Sequence, residues 1–461
     1  MADSDRPGPD HRRLWVVRRL SRAEIAAQAA EVLRANDRGS LTVAAPRLYP
    51  HMWSWDAAFI AVGLARISPS RALTELETLL AAQWGNGMVP HIVFSANAPL
   101  YEPGPDRWAS QETSPHAPGH AATSGLIQPP VHASALLRIL EAARGAGAAE
   151  RRDVLARIRA LWPRMLAWHR YLAERRDADG RGLLMIYHGW ESGMDNSPRW
   201  DQPYADVVPD PDFRPFRRSD LAALGEQAQR PTDADYVKYQ WLIEELRQAR
   251  YDDELARKSL SFRVADVFAS AIFAAANEDL ARVGEALGLG AGDELLGYAA
   301  RFRRGVLGTT DEDGFAADVD LRTDTTLRTK TLAGFAPLLA GGLDADRRRR
   351  LVALLHSPAW CGNPDLAYPL PPSTSPQASE FDVARYWRGP QWPPMNLLLI
   401  WGLERSGEHD AADRLREAAL HQLTDGVFAE YYQPFTAHPL GSRPQSWTAA
   451  VALDLACHGL G

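Results

Sequence analysis

An all-α fold is predicted from three observations. Apolar residues recur at helical spacing in about a dozen separate stretches, glycine turns join several of these into hairpins, and no strand pattern alternates with them as a parallel sheet requires. No fixed-length period repeats, so a solenoid of short repeats is not expected. Two long irregular stretches, at about 84–128 and 196–232, interrupt the helices and are too long for plain connectors in a compact domain. A closed ring of paired helices whose long loops cover one face, an (α/α)6 barrel, accommodates all of this. Helix count alone does not separate a ring from an open array; the placement of the long loops favours the ring.

Each element has its own signal. Ser21 and Glu24 form a capping box for a helix to about Asn36. Helical spacing resumes from Ala57 to Ile67, and Ser68-Pro69 opens another helix to about Gln83 as N-cap followed by proline. Pro129 to Arg144 and Ala148 to Arg176 read as a hairpin turned at Gly145-Ala146-Gly147, with Pro163 expected to kink or split the second arm. Thr232 to Asp235 opens a helix to about Tyr251, and Val264–Leu287 with Ala291–Leu307 forms a second hairpin around Gly288-Leu289-Gly290. Short alternation over Thr309–Thr325 suits a small β-hairpin. Helical spacing returns at Thr331–Leu339, Ala345–Leu355, Pro394–Glu404, His409–Leu423 and Ser446–His458.

Composition narrows the class. Of 461 residues, 46% are hydrophobic and 24% charged, which fits a packed core and excludes global disorder. A formal net charge of -7 gives no reason to expect nucleic acid or an anionic membrane as partner. The two cysteines, Cys361 and Cys457, lie far apart without metal-ligand spacing and read as small buried hydrophobes. No metal and no cofactor is expected. Residues 1–14 read as a disordered tail and 15–461 as a single domain. Met1 to Arg13 holds no apolar run and no later run reaches a membrane span, so a cytoplasmic protein is expected.

The chemistry concentrates in His188–Asp201, which packs Glu191, Asp195 and Asp201 with Arg199, Trp190 and Trp200 into a loop marked by Gly189, Gly193 and Pro198. Aromatic faces stack on sugar C–H surfaces and carboxylates accept from hydroxyls, so the composition suits a polyhydroxylated ligand. Arg199 is expected to hold one of these acids ionised. Four stretches share the character: Tyr49-Pro50-His51-Met52-Trp53-Ser54-Trp55-Asp56, Tyr386-Trp387-Arg388-Gly389-Pro390-Gln391-Trp392, Phe428-Ala429-Glu430-Tyr431-Tyr432 and Arg443-Pro444-Gln445-Ser446-Trp447. Asp56 has a bland alternative as a helix N-cap. Of fifteen tryptophans, Trp162, Trp168, Trp241 and Trp401 fall within helical patterns and are assigned to packing. Two carboxylates flanking a glycosidic bond are the minimum for hydrolysing it, and Asp195 with Glu430 is the natural pair.

In this order, from about residue 40 to 455, the motifs resemble glycoside hydrolase family 63 and its relatives, which include trehalases. Within the family the likeness is to the compact bacterial glucosylglycerate and mannosylglycerate hydrolases. The resemblance implies an (α/α)6 barrel and an inverting mechanism, with Asp195 as general acid and Glu430 as general base. It implies sugar-subsite roles for Tyr49, Trp53, Trp55, Asp56, Gln128, Trp190, Tyr386, Trp387, Trp392 and Gln445. Tyr101, Arg230 and Tyr236 would then hold the glycerate part. The resemblance implies a small-molecule glycoside as partner, with a homo-oligomer left open. A trehalase or oligosaccharide α-glucosidase is the alternative enzyme, and a non-catalytic helical toroid binding a sugar or a protein is the alternative of another class. His188 and the stretch from Asp206 to Glu226 match no pattern.

Overall fold

The computed structural model describes residues 19–96, 98, 101–218, 220–221 and 229–459. The expected tail over 1–14 and part of the second long loop lie outside the described residues. The described chain is mostly helical. Its longer helices are α1 (Arg22–Asn36), α2 (Ser54–Ala65), α3 (Pro69–Ala81), α4 (His132–Ala143), α5 (Ala148–Arg175), α6 (Asp233–Gln248) and α7 (Val267–Leu287). They continue as α8 (Gly292–Gly308), the short α9 (Ala336–Ala340), α10 (Ala345–Leu355), α11 (Pro393–Arg405), α12 (His409–Gln422) and α13 (Ser446–Ala456).

Burial sorts the helices into two kinds. Every residue of α2 and α13 is buried, as is nearly all of α11, whereas α3 buries one stripe, Ala72, Leu73, Leu76, Leu79 and Leu80, and leaves the opposite face wetter. The buried helices contact one another in sequence: α2 packs on α4, α4 on α7, α7 on α9, α9 on α11, α11 on α13, and α13 returns to α2. The amphipathic helices lie against these, α1 on α13, α3 on α2, α8 on α7 and α12 on α11. Small residues permit the closest approach. A Cβ on Gly63 of α2 would stand 2.4 Å from the Ala450 backbone of α13, so a side chain there would force the two helices apart.

Capping signals are realised where the sequence places them. Ser21 and Glu24 make the reciprocal capping box, Ser68 accepts from Arg71, and Thr232 with Asp235 makes a second box. Four expectations need correction. Helix α2 starts at Ser54, so Asp56 sits inside its first turn and is not its N-cap. Pro163 does not split the second arm of the first hairpin, since helix α5 runs through it as one helix of 28 residues. The β-hairpin lies at Asp318–Asp320 and Thr325–Leu327, and it extends an antiparallel sheet begun by Leu184–Ile186 and Val264–Asp266. The pattern read as helix from Val264 therefore opens with a strand, after which Asp266 caps α7 by accepting from Phe268 and Ala269. A short helix, Asp253–Ser259, also lies where none was expected. Cys361 is buried and Cys457 half-buried. Among the described residues no helix is long and apolar enough to cross a membrane.

Candidate active site

The aromatic motifs sit where the chain enters the buried helices. Trp53 precedes α2 and Asp56 lies in its first turn, Gln128 comes just before α4, Trp392 is the residue before α11, and Gln445 caps α13. Strand pairing of Met52–Trp53 with Ile92–Val93 brings the first long loop to the start of α2. Sheet residues Leu184–Ile186 deliver the chain into His188–Asp201, which continues as two single 3-10 turns, Gly189–Ser192 and Pro198–Trp200.

These elements enclose one cavity of about 580 Å³, mouth included. Of the residues singled out from sequence, Tyr49, Trp53, Trp55, Asp56, Tyr101, Gln128, Trp190, Asp195, Arg230, Tyr236, Tyr386, Glu430 and Gln445 line it. Trp387 and Trp392 do not. They stack on each other with ring centroids 3.6 Å apart, and Trp392 stacks in turn on Tyr431, so they back the wall that Tyr386 faces. Trp387 reaches that place with φ of 59°, a left-handed backbone that no sequence pattern announces. His91, Gly193 and Trp447 complete the lining. His91 carries no motif of its own. Gly193 is required: its φ is 71°, and a Cβ would stand 2.4 Å from the Trp55 ring.

The three acids of the His188–Asp201 loop have separate fates. Glu191 is buried against Arg176, which donates to both its oxygens at 2.8 Å, and the backbone amides of Ile127 and Tyr187 also donate to it. Asp201 accepts from Arg388 at 2.9 Å outside the cavity. Arg199 holds none of the three: it is buried against Asp266 and Asp318 and so ties the loop to the four-stranded sheet. Asp195 alone of the three lines the cavity, and among the described residues no ion pair reaches it. Burial raises its carboxyl most, the Arg230 guanidinium pulls the other way and the Glu430 charge pushes it up again, leaving it at about 8. Asp56 is likewise raised to about 8 by burial and by the Glu430 and Asp195 carboxyls.

Glu430 is built differently. Its Oε1 accepts from Tyr49 at 2.8 Å and Tyr386 at 3.1 Å, and its Oε2 accepts from the Ser442 amide at 2.8 Å and hydroxyl at 3.1 Å. Four donors around one carboxylate fix its orientation in the cavity wall. Gly441 leaves room for this arrangement, since a Cβ there would stand 2.5 Å from Oε2.

Other groups frame the pair. Arg230 lines the cavity with its guanidinium 4.1 Å over the Tyr386 ring and its Nε donating to Asp220 at 3.0 Å. Trp53 meets Tyr101 edge-on at 5.2 Å. Gln128 accepts from the Trp55 amide, and the Nε2 of Gln445 has no partner among the described residues, a buried donor beside the cavity. His188, unassigned from sequence, accepts from the Trp190 amide through Nδ1 and bonds the Tyr239 carbonyl through Nε2, so it fixes the turn that carries Trp190. Burial depresses it to about 3 and keeps it neutral. Among the described residues no group of three His, Cys, Asp or Glu is placed to hold a metal ion.

A cavity with two carboxyls, Asp195 and Asp56, held protonated near neutrality, a third wrapped in four donors, and aromatic walls is equipped for glycosidic bond cleavage. Comparison with known proteins agrees. Residues 49–448 match the mannosylglycerate hydrolase MGH1-like glycoside hydrolase domain. The chain is 52% identical to glucosylglycerate hydrolase of Mycolicibacterium hassiacum, covering 94% of this chain and 97% of that protein. It is 37% identical to mannosylglycerate hydrolase of Rubrobacter radiotolerans, covering 95% and 97%. The crystal structure of the GH63 mannosylglycerate hydrolase from Thermus thermophilus in complex with Tris and D-glycerate superposes with a TM-score of 0.84 at 37% identity, covering 93% of this chain and 99% of that one. The chain belongs to the mannosylglycerate hydrolase MGH1-like glycoside hydrolases.

Proposed function

We propose that the protein hydrolyses the α-glycosidic bond of glucosylglycerate, with mannosylglycerate as the second substrate, and that it inverts the anomeric configuration. The observation that carries this reading is the unlike pair of carboxyls in one cavity with a guanidinium beside them. Asp195, protonated at neutral pH, gives its proton to the glycosidic oxygen as the bond to the anomeric carbon breaks. Glu430, oriented by its four donors, takes a proton from water as that water bonds to the opposite face of the same carbon. The products are a β-configured sugar and glycerate. Arg230, with Tyr101 and Tyr236, supplies the charge and hydroxyls that a glycerate carboxylate requires. Glucosylglycerate is placed first because of the identity to a glucosylglycerate hydrolase. The same reading takes residues 15–461 as one (α/α)6 toroid, supported by the circular order of contacts from α2 to α13.

The test is a hydrolysis screen of glucosylglycerate, mannosylglycerate, glucosylglycerol, trehalose and kojibiose, read by product analysis. The expected result is release of glucose and glycerate fastest from glucosylglycerate. Preference for trehalose or kojibiose would move the protein among the general small α-glucosidases.

A further inference from the structure

The residues behind Arg230 carry more than support. Asp220 stands between two guanidinium groups. Arg230 donates through Nε to its Oδ2 at 3.0 Å, while Arg218 donates through Nη2 to the same oxygen at 2.8 Å and through Nε to Oδ1 at 3.1 Å. Burial alone would raise the Asp220 carboxyl, but the two guanidinium groups hold it down at about 2. Arg218 has further partners. Its Nη1 donates to the carbonyl of Pro231, next in the chain to Arg230, at 2.9 Å and to Asp233 at 2.7 Å, and its guanidinium lies 3.7 Å over the Tyr236 ring. Arg218 does not line the cavity itself; it borders a neighbouring groove with Pro215, Phe216 and Tyr236.

We propose that Arg218 is a positioning residue that sets the preference for a substrate with an anionic aglycone. The proposal rests on Arg230 being the partner of the substrate carboxylate. Arg218 is shared between Asp220 and Asp233, so its charge answers carboxylates outside the cavity and Arg230 keeps part of its own for a monoanion. Arg218 grips both oxygens of Asp220, so Asp220 takes only the Nε edge of Arg230. Without Arg218, the full charge of Asp220 falls on Arg230 and cancels the field that a glycerate carboxylate needs, while Pro231 and Tyr236 lose the contact that fixes them.

The experiment compares steady-state kinetics of wild type, Arg218→Met, Arg218→Lys and Arg230→Ala on glucosylglycerate and on glucosylglycerol, which lacks the carboxylate. For Arg218→Met the KM for glucosylglycerate should rise about tenfold, with kcat within about twofold and little change on glucosylglycerol. Arg218→Lys should fall between, because one ammonium cannot hold both Asp220 oxygens and the Pro231 carbonyl. It also keeps the test open should the methionine variant fail to fold. Equal losses on both substrates, or an unchanged KM for glucosylglycerate while Arg230→Ala is selective, would overturn the role of Arg218. Equal losses on both substrates from Arg230→Ala would instead remove the reading on which it rests.

Discussion

Tyr49 donates its hydroxyl to Glu430 at 2.8 Å across 381 positions of chain, and through that bond the entry to the first buried helix is tied to the candidate base. A hydrogen bond to a charged acceptor contributes about 1.5–3 kcal/mol. Tyr49→Phe should therefore lower kcat/KM on glucosylglycerate by about one to two orders of magnitude, with the fold retained. An unchanged rate in a folded variant would mean that the orientation of Glu430 does not depend on this donor.

Asp195→Asn should abolish turnover and at the same time stabilise the protein at alkaline pH. The folded-state carboxyl titrates at about 8, above its ordinary value of 3.8, so its contribution to stability is full below about pH 4 and is lost as pH rises to 8. Asparagine does not ionise and escapes that loss. Melting curves of the two proteins from pH 5 to 9 should diverge in favour of the variant as pH rises. A melting temperature lower than wild type at pH 9 would contradict the burial argument.

The rate should follow the same group. A general acid must carry its proton, so kcat/KM should fall on the alkaline side with an apparent pKa near 8. Arg230 opposes the rise of the Asp195 carboxyl. In Arg230→Ala the alkaline limb should consequently move to higher pH, measurable on glucosylglycerol. A limb that stays in place or moves lower would separate Arg230 electrostatically from Asp195.

How far the sequence foretold this site depends on how local each signal is. Asp195, Glu430 and the tryptophans around them were legible because carboxylates and indoles share short loops broken by glycine and proline, a pattern that packing alone does not need. Helix starts at Ser21, Ser68 and Thr232 were legible for the same reason, since a cap lies within four residues. The partners of Arg199 were not: Asp266 and Asp318 lie 67 and 119 positions away, and proximity in sequence wrongly assigned it to its own loop. Of the four-stranded sheet only the hairpin near Thr325 showed in the sequence; Leu184–Ile186 and Val264–Asp266 escaped because strands of three buried residues are too short to show alternation. Trp387 and Trp392 carry the right composition but stack on each other behind the wall, and Trp387 does so with a left-handed backbone that composition does not reveal. His91 enters the cavity by strand pairing and left no local mark.

The measurement that bears most directly on the Asp195 and Glu430 assignment is proton NMR of the first sugar released from glucosylglycerate, recorded before mutarotation. Water delivered by Glu430 to the face opposite the leaving glycerate gives β-glucose first, with the α-anomer appearing only as mutarotation proceeds. First-formed α-glucose would show retention, require a covalent or same-face path, and contradict the acid and base roles assigned here.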